Sequence, residues 1–305
     1  MDGWRATRYS AWQATCDTLH AHTQVLGKLC VALAPPEPEL LHAALRLTAR
    51  GWETRPLPAP DRSGALLVAL DLRRHEAVAE HSDGRSARVP LAPDRSVGEV
   101  TRELLAALGR LGGEVAINAT PQEVPWDVAL DRDEQHATYD AGQVEEYFAA
   151  ATRAALVLEE FRAPYRGRST AVNAWWGSFD LAVSLFTGEP AEPPSQDFIM
   201  RNAMDAQEVA VGWWPGDSRY DEPALYAYAH PAPDGFGGAT LQPPQARWED
   251  ELGEFVLDWR DVGASEDPHG QAVRFLRSAF DHACEVCDWD DSLRASVAGS
   301  PPPIR

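Results

Sequence analysis

Lysine is almost absent from this chain. Of its 27 Lys and Arg residues, only Lys28 is a lysine, and it closes the stretch TLHAHTQVLGK, Thr18 to Lys28. Abundant Ala, Arg and Pro give the signature of a high-GC bacterial genome, in which a surface lysine drifts to arginine at little cost. A lysine kept against that drift points to a compact, titratable ammonium where a planar, permanently charged guanidinium will not serve. The opposing reading is a chance survivor.

Other absences exclude whole classes. No run of about 18 apolar residues occurs, so no membrane span is expected. The start, MDGWRATRYSAWQ, lacks the basic-then-apolar pattern of a signal peptide, and a cytoplasmic location is expected. Cysteine is sparse: Cys16, Cys30, Cys284 and Cys287 are expected as free thiols. The single CxxC falls late in an expected helix, without the helix N-terminus or second ligand pair that redox or zinc chemistry needs. HExxH, zinc-finger spacing, GxSxG, GxxxxGK[ST] and GxGxxG are all missing, so no organic cofactor is expected and no motif assigns a metal. A metal held by distant residues, for example His20, His42, His136 and Glu208, stays open. His20 and His22 do not share one, because residues two apart on a helix diverge by about 200°. The net charge of −20 repels phosphate backbones and anionic membranes, so no nucleic acid or membrane partner is expected. A small anionic molecule in a local basic pocket is compatible with it; a homodimer or partner protein is left open.

What is present is a chain of 305 residues, 44% hydrophobic, enough for a substantial core. Apolar spacing predicts a helix over 11–34, stopped by Pro35-Pro36-Glu37-Pro38. A strand is expected over 41–57, and hairpin strands over 65–72 and 77–91 with the tip His81-Ser82-Asp83-Gly84. Ser96 and Glu99 form a capping box for a helix over 97–111, followed by a short strand over 114–119. Asp140 caps a helix to about 161; a strand or strand pair follows over 171–186. Strands are read at 207–214, 224–229 and 254–259, and Asp267 caps a last helix over 271–287. The tail GSPPPIR is expected to be mobile. The fold class is α+β: antiparallel sheets with packed helices, in two similar helix–strands–helix halves around a central pocket. The halves are 1–125 and 126–295, forming one compact unit, with a flexible tail at 296–305.

Chemistry concentrates on the first helix. Asp17, His20, Gln24 and Lys28 stand at steps of three, four and four, one polar stripe on one helical face. Asp17 would orient His20; Gln24 and Lys28 would hold a carboxylate, phosphate or sulfate. The bland alternative is a solvated face, although this genome would fill one with Arg and Glu. On the next strand, Thr48 and Arg50 share a face with His42 nearby, and Arg50 could complete an anion clamp; the alternative is an edge-strand arginine paired to a carboxylate. In the second half, Asp180 in WWGSFDLA and Glu208 in AQEVAVGWWPGD stand among apolar neighbours, either as tuned acid–base groups or as a buried hydrogen-bond network. Trp176 and Trp213 beside them could line a substrate cavity or simply fill the core.

Together DTLHAHTQVLGKLCVALAP, LTARGWET, HSDGR, HATYD, WWGSFDLAVSLFTG, EVAVGWWPGD, LYAYAHPAPDGF and LGEFVLDW resemble a widespread bacterial family of uncharacterised proteins, a domain of unknown function, from about Trp12 to Trp289. The resemblance brings no activity or cofactor. It implies an aromatic in the place of His22 and histidines in the places of Asn173 and Gln207. A metal site built on those histidines would be lost or rebuilt here, while the Asp17–His20–Gln24–Lys28 stripe is kept, as in a specialised biosynthetic paralogue. The leading expectation is an enzyme acting on a small anionic molecule by acid–base chemistry: elimination, isomerisation, ring closure or hydrolysis. His20, Lys28, Asp17, Asp180 and Glu208 would be catalytic; Gln24, Arg50, His42, Thr48, Trp176 and Trp213 would bind substrate. The alternatives are a metalloenzyme with scattered ligands and a non-catalytic small-molecule binder or partner subunit.

Overall fold

The computed structural model describes residues 3–298, with side chains to 294; the expectation for the GSPPPIR tail lies outside the described residues. The chain forms two compact units with discontinuous boundaries. The first unit holds Tyr9–Phe148 and Asn173–Asp180; the second holds, within the described residues, 3–8, 149–172 and 181–298. The division therefore does not follow a single cut near 125. A short return of chain, Asn173–Asp180, rejoins the first unit after the second has begun.

The first unit opens with α1, Tyr9–Leu33, which is buried at every residue from Thr18 to Cys30. Such a helix must find partners for each of its polar groups. Two threonines find theirs within the helix: Thr18 Oγ1 donates to Ala14 O at 2.9 Å and Thr23 Oγ1 to His20 O at 2.7 Å. A 3₁₀ turn, Pro38–Ala43, follows. Next come β1 (Arg46–Leu47), β2 (Gly51–Glu53), β3 (Leu57–Pro58), β4 (Ala65–Asp71), β5 (Glu76–His81) and β6 (Ser86–Pro90). They form one antiparallel sheet in the order β1-β2-β4-β5-β6, with β3 also paired to β4.

The single strand expected over 41–57 is broken into three pieces. Thr48 and Gly51 exchange main-chain hydrogen bonds and turn the chain between β1 and β2. The hairpin tip at 81–84 is as expected, with Gly84 at φ 94° joining β5 and β6. Helix α2, Val97–Gly112, carries the expected capping box: Glu99 N donates to Ser96 Oγ and Ser96 N to the Glu99 side chain. Two more of its first-turn donors are met from a distant loop, Val97 N by His136 O and Gly98 N by Asp133 O. That pairing fixes the 133–136 segment on α2. Residues 114–119 do not form a strand and have no ladder partner among the described residues. Strand β7, Asn173–Trp175, bridges this unit through Ala174 and Leu45.

Helix α3, Ala141–Arg162, begins behind Asp140, whose carboxylate accepts from Gln143 N at 3.0 Å. Its later part belongs to the second unit. There β8 (Asp180–Pro190), β9 (Ala206–Trp214), β10 (Ala224–His230), β11 (Arg247–Glu249) and β12 (Glu254–Asp258) pair antiparallel in the order β11-β12-β10-β9-β8. Short helices α4 (Phe198–Ala203) and α5 (Trp259–Gly263) precede α6, Pro268–Val286, and α7, Asp291–Ala298. The Asp267 side chain accepts from Gly270 N and caps α6 as expected. Phe280 of α6 meets Phe161 and Tyr165 edge-on. Helices on antiparallel sheets make this an α+β protein. Among the described residues, no helix is long and apolar enough to cross a membrane.

Candidate functional site

The polar stripe of α1 is not a solvated face. His20, Gln24 and Lys28 are all buried; only Asp17, nearer the helix start, is partly exposed. Each buried member has a specific partner within the first unit.

His20 holds a turn. β7 runs into the four-residue turn Trp176-Gly177-Ser178-Phe179, and His20 Nε2 lies 2.8 Å from Trp176 O and 3.0 Å from Gly177 O. Two carbonyls can only accept, so Nε2 carries the proton. Phe179 closes the turn at φ 59°, a left-handed backbone that is unusual for a bulky residue. Aromatic packing holds it there: its ring stacks on His20 at 4.9 Å, Tyr147 at 5.1 Å and Trp52 at 5.3 Å.

Gln24 holds a loop. Its side-chain amide forms both hydrogen bonds of a strand-like pair with one residue: Nε2 donates to Gln122 O at 2.8 Å, and Gln122 N donates to Oε1 at 2.9 Å. Only one orientation of the amide satisfies both. Gln122, fixed in this way, aims its own side chain at Lys28, whose Nζ donates to Gln122 Oε1 at 2.6 Å.

Lys28 is 4% exposed, and its Nζ stands 5.2 Å from the centre of the Trp176 ring. Trp176 is itself anchored, its Nε1 donating to Ala43 O at 3.1 Å. The indole seats directly on the α1 backbone at Gly27, where an added Cβ would fall 2.1 Å from the ring. Only glycine permits that approach. Among the described residues, no carboxylate lies within ion-pair distance of Lys28. Among the described residues, the amide oxygen and the indole face are its polar contacts. Burial lowers the Lys28 pKa from 10.5 to about 8.

Asp17 does not serve His20 as its orienting acid. Its carboxylate accepts from Tyr9 Oη at 3.0 Å and Gln13 Nε2 at 3.4 Å, and burial raises its pKa. Arg50 is paired with Glu53 at 2.8 Å and Glu80 at 3.2 Å, the edge-strand arrangement, rather than joining Lys28 in a clamp. Thr48 is a turn residue, its Oγ1 donating to Gly51 O. His42 accepts from Glu37 N at Nδ1 and closes the 3₁₀ turn. Asp180, directly after the Phe179 turn, accepts from Ser178 Oγ at 2.5 Å. Burial, with the Asp180 charge adding to it, pushes the nearby Tyr147 hydroxyl well above its ordinary range. In the second unit, Glu208 is buried on β9 opposite Phe186 and His230, and Trp213 packs edge-on against Trp259. Asp180 and Glu208 thus belong to different units.

Around the stripe, Gln122, Trp126 and Asp133 carried no sequence signal. Gln122 sits between Pro121 and Pro125, a stretch that reads as a boundary. Trp126 stands between His20 at 5.2 Å and His136 at 4.5 Å. His136 Nδ1 pairs with Asp133 at 2.6 Å. Burial pushes the Asp133 pKa up, but the bonds from His136 and Gln135 outweigh it and hold the carboxyl low. His22, facing this pair, is lowered to about 4 by burial, with Arg95 and His136 acting the same way and Asp133 opposing.

Among the described residues, no three His, Cys, Asp or Glu side chains converge as metal ligands would. Asn173 is buried with its Nδ2 unpartnered, and Gln207 is within reach of Thr187 Oγ1. The four cysteines are free, and burial pushes the thiols of Cys30 and Cys284 up to about 12, far from nucleophilic.

A family model described as "Family of unknown function (DUF5996)" matches residues 4–296. The chain therefore belongs to that family. No curated protein and no solved structure matches it.

Proposed function

We propose that the first unit is an enzymatic centre in which Lys28 receives a small anionic molecule and exchanges a proton with it, without an organic cofactor, in the cytoplasm. The observation that carries this reading is the buried Lys28 ammonium, which among the described residues has one neutral hydrogen-bond acceptor and no carboxylate partner. An unpaired buried charge is costly. An incoming anion would supply a counter-charge and accept hydrogen bonds from Nζ. A pKa near 8 suits a group that gives and takes a proton near neutral pH. Asp180, hydrogen-bonded to Ser178 at the far end of the same turn, is the second acid–base group in this reading. Elimination, isomerisation, ring closure and hydrolysis all use such a pair.

His20 and Gln24 become positioning residues, since their bonds to main chain set the turn and the loop that flank Lys28. The same commitment favours a second reading, a non-catalytic binder of small anions, because it removes His20 Nε2 from proton transfer. The test common to both is thermal unfolding with inorganic phosphate, sulfate and malonate. An anion at 100 times its Kd stabilises the folded state by about 2.7 kcal/mol. Stabilisation of the wild type that is absent from Lys28→Met is expected; equal stabilisation of both proteins, or of neither, would overturn the assignment.

A further inference from the structure

We propose that Lys28 is a nucleophile that forms an imine with the carbonyl carbon of a small aldehyde or 2-oxo acid. This deepens the reading of the Lys28 centre and rests on it.

Three observations lead here. The first is the choice of residue. An anion holder can be an arginine, whose fork binds carboxylates and phosphates at least as well, and this chain uses arginine at every other basic position. A guanidinium cannot lose its proton and attack a carbonyl; a lysine can.

The second is the partner of Nζ. Gln122 Oε1 accepts from Lys28 at 2.6 Å. An amide oxygen accepts from a neutral amine as well as from an ammonium, though more weakly, so the side chain can be deprotonated without losing its anchor. A carboxylate in the same place would hold the charge on nitrogen. Gln122 is itself locked by its two-point bond to Gln24. The amine is thereby aimed without being kept charged.

The third is the wall. The Trp176 face beneath Nζ, seated on Gly27 and tied to Ala43 O, is apolar and fixed. A carbinolamine forming over it would be sheltered from bulk water. Burial lowers the amine's pKa to about 8, which gives a useful fraction of free base near neutral pH.

The step balances with a solvent proton and no further reactant. The Nζ lone pair attacks the carbonyl carbon, and a proton moves from nitrogen to the carbonyl oxygen. A proton from solvent then adds to the carbinolamine hydroxyl, which leaves as water with the C–O bonding pair, and the nitrogen lone pair closes the C=N bond to give a protonated imine carrying that proton's charge. Hydrolysis reverses the sequence and returns the amine.

The single lysine makes the test clean, because apart from the α-amino group the chain has no other primary amine. Folded protein is incubated with glyoxylate and cyanoborohydride, which reduces an imine to a stable secondary amine, and the adduct is mapped by peptide mass spectrometry. The same reaction is run in urea. The expected result is a reduced adduct on Lys28 that forms severalfold faster in the folded protein than in the denatured one, with a rate rising through pH 8. Lys28→Arg, checked for folding by circular dichroism, should show only the α-amino adduct. Modification confined to the α-amino group, or Lys28 reacting no faster folded than denatured, would overturn the imine proposal. The anion test separates the failures: phosphate or sulfate stabilisation lost in Lys28→Met, with no adduct, leaves the anion centre standing and removes only the imine.

Discussion

Each unit of this protein buries an ionised group, and the two are treated in opposite ways. In the second unit Asp258, 1% exposed, meets Arg247 at 3.0 Å and Arg260 at 3.2 Å, and accepts from the Tyr220 hydroxyl. Its charge is matched by two half-exposed arginines, Arg260 standing at ion-pair distance from Oδ2 without hydrogen-bond geometry. In the first unit Lys28 has an amide oxygen and an indole face. Compensation of the first kind ties β12 to its neighbours and asks for nothing more. An uncompensated ammonium lowers stability, and a fold keeps one where a ligand or a reaction uses it. His22 illustrates a third solution: buried without a charge, it stays neutral down to about pH 4.

The sharpest way to break the Lys28 arrangement is at its seat. Gly27→Ala drives a Cβ into the Trp176 ring. It should cost about 3 kcal/mol by overpacking, read by urea unfolding, and should abolish anion stabilisation with it. The neutral solution is tested by His22→Phe. With a folded pKa of about 4 against an ordinary 6.5, His22 contributes stability that is complete above pH 6.5 and lost as pH falls through 4. The wild type should therefore lose about 3 kcal/mol relative to His22→Phe across that window, measured as the difference in unfolding free energy at pH 7 and pH 4. At the compensated site, Asp258→Ala should destabilise by about 2 kcal/mol, below the usual figure for a broken buried pair because both arginines can turn to water. Lys28→Met should do the opposite and stabilise by about 1 kcal/mol at pH 7, since relief of the buried charge exceeds the lost bond to Gln122. With a folded pKa lowered to about 8, the wild type should recover stability relative to that variant as pH rises from 8 to 10.5. Opposite signs for Asp258→Ala and Lys28→Met are the core of the comparison; matching losses would erase it.

Local patterns were legible in the sequence wherever one residue sets one bond. The capping box at Ser96 and Glu99, the caps at Asp140 and Asp267, and the Asp83-Gly84 turn all follow from side-chain chemistry within a few residues. The apolar spacing that gave α1 also placed Asp17, His20, Gln24 and Lys28 on one line. What that line faces was not legible, because its partners come from far along the chain: Gln122 and the Trp176–Phe179 turn. A stripe reads the same whether water, a loop or a ligand covers it. The strand read over 41–57 fails for a related reason, as alternation persists through Thr48–Gly51 while the main chain turns back on itself. Asp180 and Glu208 were read alike in the second half from their similar apolar settings; their strands, β8 and β9, do pair, while the two carboxylates are assigned to different units.

Chemistry at the Lys28 centre turns on the ionisation of one amine, and this chain offers it as a single signal. Protein made with lysine labelled at Cε with ¹³C has one labelled side chain, whose chemical shift reports its protonation directly. A titration from pH 6 to 11 should give a midpoint near 8 for Lys28, moving upward when phosphate is bound. A midpoint near the ordinary 10.5, unmoved by anions, would mean that the ammonium is as comfortable in the fold as in water and would contradict the central claim.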